Sequence, residues 1–237
     1  MSDIALAVVA VSHRGLARDD NEDSLGIDGW LLAALDGYPL ATTLSLDRPR
    51  QLVVADGMGG HNGGAEASRQ AVESLARNSG ADIIAALQRA SDGLRARAEL
   101  QPWLHGMGST IVGLMVEGAN VTIFNVGDSR AYRLVDGYLG RLTRDDRLAE
   151  GESVLTQYLG GERKILLEPH LFTVPLVVGE RFLLCSDGLH DVVPDADIER
   201  MLAGTPETIA STLLTAAMDA GGPDNISIII AEVVDAA

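Results

Sequence analysis

The stretch VVADGMGGHNGGAEAS, residues 53–68, combines an apolar run, an aspartate and a dense group of glycines. The apolar residues before Asp56 predict the end of a strand, and the residues from Ala65 onward have helical spacing. Between them, five of the eight positions from 57 to 64 are glycine. Glycine loses more backbone freedom on folding than any other residue, so this run predicts that another group approaches the backbone closely.

This glycine run does not match the common nucleotide-binding loops. The pattern G-x-G-x-x-G would use Gly57 and Gly59, but its third glycine would have to stand where the chain has Asn62. The Gly-Lys-Ser/Thr ending of the P-loop is absent as well. What remains is Asp56 at the carboxyl end of a strand, followed by Gly57, whose carbonyl oxygen is a possible metal ligand.

Three further aspartates stand beside apolar strand-like runs. Asp128 follows VTIFNV, Asp187 follows RFLLC, and Asp224 precedes ISIIIAEVV. One aspartate at a strand end is usually a turn or helix-cap residue. Four of them, each within two residues of glycine or serine, form a rarer set that suits Mg²⁺ or Mn²⁺, because these ions prefer oxygen ligands. Without a cation, converging carboxylates would repel one another.

Length and composition favour one globular domain over residues 1–237, since the chain has 237 residues, 46% of them hydrophobic, and no sharp change of composition. Its net charge of −16 disfavours binding to nucleic acid or to anionic membranes. No apolar run approaches the ~20 residues that span a bilayer. The first residues lack the basic flank of a secretion signal. We therefore predict a soluble, cytoplasmic protein.

The single cysteine, Cys185, excludes a disulfide framework and a cysteine-built metal site. A cysteine-based phosphatase needs an arginine six residues later, and that position is Asp191. Because Cys185 ends the apolar run RFLLC, we predict a buried structural thiol and not a nucleophile.

Hydrophobic periodicity predicts a mixture of strands and helices. Predicted strands cover residues 4–11, 51–55, 110–116, 121–126, 130–135, 181–185 and 226–234. Predicted helices cover residues 65–77, 81–100 and 206–220. The strands between 110 and 135 have connections too short for a crossover helix. An α+β fold with antiparallel sheets and helices packed outside them is therefore favoured over a doubly wound parallel sheet.

Eight short motifs, taken together and in order, resemble the type 2C metal-dependent serine/threonine protein phosphatases in their compact bacterial form. The motifs are RGLARDDNEDS, VVADGMGG, MGSTIVG, VGDSRAYRL, LTRDD, VLTQYLGG, FLLCSDGL and GGPDNISIII. The resemblance covers nearly the whole chain. It implies a four-layer α/β/β/α sandwich, in which helices flank two antiparallel sheets and a two-metal site lies at one end of the sheets.

The resemblance also implies roles for individual residues. Asp56 resembles the carboxylate that bridges two Mn²⁺ or Mg²⁺ ions, Gly57 resembles the glycine whose carbonyl binds the second ion, and Arg18 resembles the phosphate-binding arginine. Four more aspartates complete this set. Asp187 and Asp224 resemble the other ligands of the first ion, Asp23 an acidic residue that orders metal-bound water, and Asp128 a ligand for a weaker third ion.

Some details stay open. His61 is either the proton donor to the leaving oxygen or an exposed loop histidine. Asp145 and Asp146 are either metal ligands or aspartates that do not contact a metal. Relative to compact family members, the chain is predicted to carry an insertion near residues 28–50 and a shortened flap near residues 146–175. Only RLAEGES separates Asp146 from Val154.

Three functions remain to be distinguished. The first is an active phosphatase for phosphoserine and phosphothreonine in proteins, which would oppose a serine/threonine protein kinase. The second is an inactive relative that binds a phosphoprotein or another partner as a signalling module. The third is a metal-stabilised sandwich without turnover. The lack of a convincing nucleophile fits direct attack by water between two ions, with no covalent phosphoenzyme.

Overall fold

The computed structural model describes residues 4–32, 35–59, 63–77, 82–149 and 154–236. Within these residues the strands are β1 Ile4–His13, β2 Ser24–Ile27, β3 Trp30–Leu32, β4 Leu40–Ser45, β5 Arg50–Ala55, β6 Gly57–Met58, β7 Gly108–Ser109, β8 Ile111–Glu117, β9 Asn120–Val126, β10 Arg130–Val135, β11 Tyr138–Arg141, β12 Leu159–Gly160, β13 His170–Pro175, β14 Arg181–Cys185 and β15 Ile226–Asp235. The helices are α1 Gly63–Arg77, α2 Ile83–Leu100, α3 Asp187–His190, α4 Asp195–Met201 and α5 Pro206–Asp219, with a 3₁₀ turn at Pro102–Leu104.

The strands form two large sheets and one small sheet, and every pairing between named strands is antiparallel. The first sheet has the order β11-β10-β14-β15-β1-β4, and the second has the order β13-β9-β8-β5-β2-β3. The small sheet, β12-β7-β6, continues from the end of β5. The antiparallel arrangement predicted from the short connections is confirmed.

The main core lies between the two large sheets. On β5, Leu52 and Val54 face this core, whereas Val53 belongs to the core beneath the helices α1 and α2. On β1, Leu6 and Val8 likewise face the other sheet. Successive side chains of a strand point to opposite faces, so a strand that is apolar on both faces must be covered on both.

Helices provide that outer cover. Ala67 and Leu75 of α1 pack on the second sheet, and Ile209, Leu213 and Ala217 of α5 pack on the first. The helical face predicted for residues 206–220 is therefore buried as expected. The result is the four-layer α/β/β/α sandwich that the resemblance implies, and the predicted fold class is confirmed.

Edge strands were missed by the sequence prediction. Strands β3 and β4 lie in the segment predicted as an insertion and form the edges of the second and first sheets, respectively. In β4 the side chains alternate between exposed and partly buried, so none is fully buried. A strand without buried side chains has no clear apolar pattern in its sequence. The position of β4 depends instead on its pairing with β1.

Cys185 is a free thiol with no exposed surface, at the end of β14. Burial raises the pKa of this thiol, which leaves it protonated and unreactive. The prediction of a structural cysteine is confirmed. Among the described helices, none combines the length and the apolar character that crossing a bilayer requires.

Candidate metal and phosphate site

A cleft of about 500 Å³ opens where β5, β9, β14 and β15 end or begin. Its charged lining residues are Arg18, Glu22, Asp56, Asp128, Asp187 and Asp224. The four aspartates at strand ends therefore share one cleft, as the sequence predicted. Gly57 lines it as well, next to Asp56.

The backbone of Asp56 is held rigidly in the gap between β5 and β6. Its N–H donates to Thr110 Oγ1 at 3.2 Å, and its carbonyl accepts from Thr110 N at 2.9 Å and from Ser109 Oγ at 3.0 Å. The hydroxyl of Thr110 also shares a hydrogen bond with Ser129. The Asp56 carboxylate receives no hydrogen bond from the described residues. It lines the cleft, where its oxygens are available as metal ligands.

Ser186 connects the cleft to a carboxylate behind it. Its hydroxyl donates to Asp23 Oδ2 at 2.9 Å and accepts from Ser227 N at 3.0 Å. Asp187, the next residue, is the first of α3, and its Oδ1 is buried without a hydrogen-bond partner in the described structure. Asp23 does not line the cleft. Asp23 is therefore connected to the cleft through Ser186, the residue before Asp187, and its water-ordering role stays a prediction.

Arg18 and Asp224 form an ion pair across the mouth of the cleft. Arg18 Nη2 donates to Asp224 Oδ2 at 2.7 Å, and the Arg18 side chain is 53% exposed. Asp224 Oδ1 accepts from Asn225 N at 2.8 Å. The hydrogen bond and the charge of Asp224 raise the pKa of the Arg18 guanidinium. An arginine held by one carboxylate at a cleft entrance can exchange that partner for an incoming phosphate group.

Burial, together with repulsion from neighbouring charges, raises the pKa of three carboxyl groups at this site. Burial raises the pKa of Asp56 well above its usual value, and the charges of Asp23, Asp187 and others raise it further. Burial and then the charges of Asp128 and Asp224 raise the pKa of Asp187 to about 7. For Asp23 burial is again the largest cause and raises the pKa to about 7, although the nearby hydroxyl groups of Ser227 and Ser186 lower it.

Arg147 is a member of this site that the sequence did not predict. Its side chain is only 7% exposed. Its Nε donates to Asp128 Oδ2 at 2.6 Å, and its Nη2 donates to Asp187 Oδ2 at 3.4 Å. The Arg147 guanidinium also forms a bidentate pair with Asp191. Burial opposes its charge, but the hydrogen bonds and charges of Asp191 and Asp128 outweigh burial and raise the pKa of Arg147.

The glycine run is explained by contacts within the chain. A Cβ on Gly57 would lie 2.0 Å from Gly64 O, and a Cβ on Gly64 would lie 2.6 Å from Glu22 Cδ. The expectation of a close approach is therefore met by the start of α1, which packs against β6 and the Glu22 carboxyl group. Position 59 also requires glycine, since its φ angle is +143°.

The residues of the cleft fit divalent cations. Five carboxylates line it, namely Glu22 and the four aspartates; one of them, Asp187, has a buried oxygen without a partner in the described structure, and hard cations bind oxygen. Over the described ranges, no group of three acidic, histidine or cysteine side chains is already arranged to hold an ion. Arg18 is paired with Asp224, and Arg147 is paired with Asp128 and Asp187, so these cleft carboxylates face cations of the chain itself.

Two of the open assignments have a structural answer. Asp145 forms an ion pair with Arg130 at 2.7 Å. Asp146 accepts from Gly127 N at 2.8 Å and contacts His170 Nε2 at 2.9 Å. Neither aspartate lines the cleft, so both have structural partners instead of a place at the metal site. His61 lies outside the described residues, and its two alternatives stay open.

Comparison with known proteins identifies the family. The profile of the protein phosphatase 2C family matches residues 41–220. The chain belongs to that family. Serine/threonine protein phosphatase PstP of Mycobacterium tuberculosis is 34% identical over 98% of this chain, which spans only 46% of that relative. Serine/threonine phosphatase stp of Listeria innocua is 33% identical, and the match covers 93% of each protein.

A solved structure supports the assignment to this family. The catalytic domain of PstP in complex with two manganese ions is 32% identical to this chain and superposes with a TM-score of 0.79. The match covers 98% of this chain and 100% of that one. Membership of the phosphatase 2C family thus accounts for the sandwich architecture of this chain.

Proposed function

We propose that this chain hydrolyses phosphoserine and phosphothreonine in proteins with the help of two Mn²⁺ or Mg²⁺ ions. The observation that carries the proposal is the convergence of Asp56, Asp187 and Asp224 on one cleft whose mouth holds Arg18. Relatives named as serine/threonine phosphatases, and a related structure that holds two manganese ions, support it.

In this proposal Asp56, Asp187 and Asp224, together with the Gly57 carbonyl, would hold the two ions. Two such ions supply positive charge to the phosphoryl group and acidify water at neutral pH. Asp23, behind Asp187, holds water in place through its free oxygen, since Asp23 Oδ1 is buried and unpartnered in the described structure.

Arg18 then binds the phosphate group of the substrate. Its planar fork matches two phosphate oxygens, and its present partner Asp224 becomes free to bind an ion when Arg18 moves. The other wall of the cleft includes Val154, Leu155 and Tyr158, which offer apolar contacts to the residues around the phosphorylated side chain. A cognate serine/threonine kinase and a cytoplasmic location stay predictions from the sequence.

The test is phosphate release from phosphothreonine and phosphoserine peptides with MnCl₂ and with EDTA. We expect manganese-dependent release by the wild-type chain and none by Asp56→Ala. The control is Asp219→Asn, which removes the same charge from an exposed position at the end of α5. Peptide binding without phosphate release in the wild type would instead favour the signalling module. Full activity of Asp56→Ala would contradict the proposed ion site.

A further inference from the structure

Arg147 has no part in the function proposed above, yet it is almost fully buried inside the acidic site. Its guanidinium lies between three carboxylates: Asp128 at 2.6 Å, Asp191 at 2.8 and 3.0 Å, and Asp187 at 3.4 Å. A long cationic side chain usually keeps its charged end in water. Here the charge is instead enclosed by acidic partners.

Hydrogen bonds of the main chain fix the position of the Arg147 backbone. Arg147 pairs with Leu155 in an antiparallel bridge. On either side of the bridge, Leu148 N donates to Val154 O at 2.9 Å, and Thr156 N donates to Asp146 O at 2.7 Å. Arg147 is therefore anchored by two paired segments.

Asp146, the residue before Arg147, connects this segment to the backbone of the cleft. Asp146 N donates to Gly127 O at 3.0 Å, and Asp146 Oδ2 accepts from Gly127 N at 2.8 Å. Gly127 immediately precedes Asp128, whose own carbonyl accepts from His190 Nε2 at 3.0 Å. Arg147 and Asp128 are thus built on backbone segments that are bonded to each other.

Carboxylate oxygens are the ligands that a hard divalent cation prefers. In this chain the space between the three carboxylates is occupied by a guanidinium, which keeps its charge at all physiological pH values and pairs with carboxylates through a planar fork. An ion could enter only if Arg147 withdrew from Asp128 and Asp191, and the anchored backbone limits that movement.

We propose that Arg147 is a built-in cation that replaces a divalent ion between Asp128, Asp187 and Asp191. The chain then takes up two divalent ions and not three. Asp187 is shared, with Oδ2 toward Arg147 and the unpartnered Oδ1 free for an ion. This inference rests on the proposed two-ion function, and it replaces the weak third ion that the resemblance implies at Asp128.

The experiment measures Mn²⁺ uptake by equilibrium dialysis with metal analysis, up to millimolar MnCl₂. Wild type is compared with Arg147→Met, which removes the cation, and with the control Arg144→Met, which removes an exposed arginine from the same segment. We expect two ions per chain for wild type and control, and a third, weaker ion for Arg147→Met. The melting temperature of Arg147→Met should also respond more strongly to millimolar Mn²⁺ than that of wild type.

The outcomes separate this inference from the proposed function. Three ions in wild type, two in Arg147→Met, or a third ion in Arg144→Met would each overturn the role of Arg147 alone. A folded wild type that takes up no Mn²⁺ would overturn the proposed function and this inference with it. Should circular dichroism show that Arg147→Met does not fold, Arg147→Gln, which keeps a polar side chain, is judged by the same outcomes.

Discussion

Replacing Asp187 by asparagine should stabilise the metal-free protein while it removes an ion ligand. The pKa of Asp187 is raised from 3.8 to about 7 by burial and by the charges of Asp128 and Asp224. The folded protein therefore keeps this proton up to about pH 7, whereas the unfolded chain loses it near pH 4. The stability of the metal-free wild type consequently falls as pH rises between these values.

The magnitude follows from that shift. Roughly three pKa units at about 1.4 kcal/mol each make ionisation of Asp187 cost about 4 kcal/mol at pH 8. The amide of asparagine removes this cost but leaves a buried polar group with one weak partner, Arg147, which costs about 2 kcal/mol. We therefore expect a net gain of about 2 kcal/mol, or about 4 to 8 °C in melting temperature for a chain of this size.

The assay is urea and thermal unfolding of wild type and Asp187→Asn in EDTA at pH 5 and pH 8. The gain should be present at pH 8 and absent at pH 5, where the aspartate is already protonated. With Mn²⁺ at ~100 times the wild-type dissociation constant, binding adds ~2.7 kcal/mol to the stability of wild type. The stability difference between Asp187→Asn and wild type should therefore shrink or reverse. The exposed Asp219→Asn change controls for net charge.

One result would refute this reasoning. If Asp187→Asn in EDTA were no more stable than wild type at pH 8, burial and the neighbouring charges would not raise the pKa of Asp187 in the folded chain. The convergence of acidic side chains on which the ion site rests would then have no energetic signature.

Three other changes test separate parts of the site. Gly57→Ala should destabilise the protein by ~1–3 kcal/mol, because its Cβ would lie 2.0 Å from the backbone oxygen of Gly64; an unchanged urea midpoint would contradict this. Arg18→Ala should raise KM for a phosphopeptide while stability changes by less than ~1 kcal/mol, since its pair with Asp224 is exposed. An unchanged KM would exclude phosphate binding by Arg18. Native Cys185 should resist alkylation, with full activity retained, until urea unfolds the chain; rapid labelling of the folded protein would be inconsistent with its burial.

Much of the architecture could be read from the sequence because the information is local. The predicted strands at 130–135 and 181–185 match β10 and β14, and the predicted helix at 206–220 differs from α5 by one residue at its end. Periodic apolar side chains report directly which faces become buried. The aspartates beside these strands could be assigned to one site because the ends of neighbouring strands in stacked sheets lie together.

Contacts between distant segments could not be read in this way. Strand β4 is specified by its pairing with β1, about thirty residues earlier in the chain, and not by its own weak alternation. The glycines at 57 and 64 were correctly taken as a sign of close approach, but only the fold shows that the approaching group includes Glu22.

Arg147 is the clearest case. It stands 19 residues from Asp128 and 40 from Asp187 in the sequence. As an arginine in a charged turn, it has no local signal that distinguishes it from a solvated side chain. The acidic residues at strand ends could be recognised from the sequence, because a strand end is a local feature. The cation that faces them became visible only in the folded chain, since pairing of charges depends on distance in space and on burial.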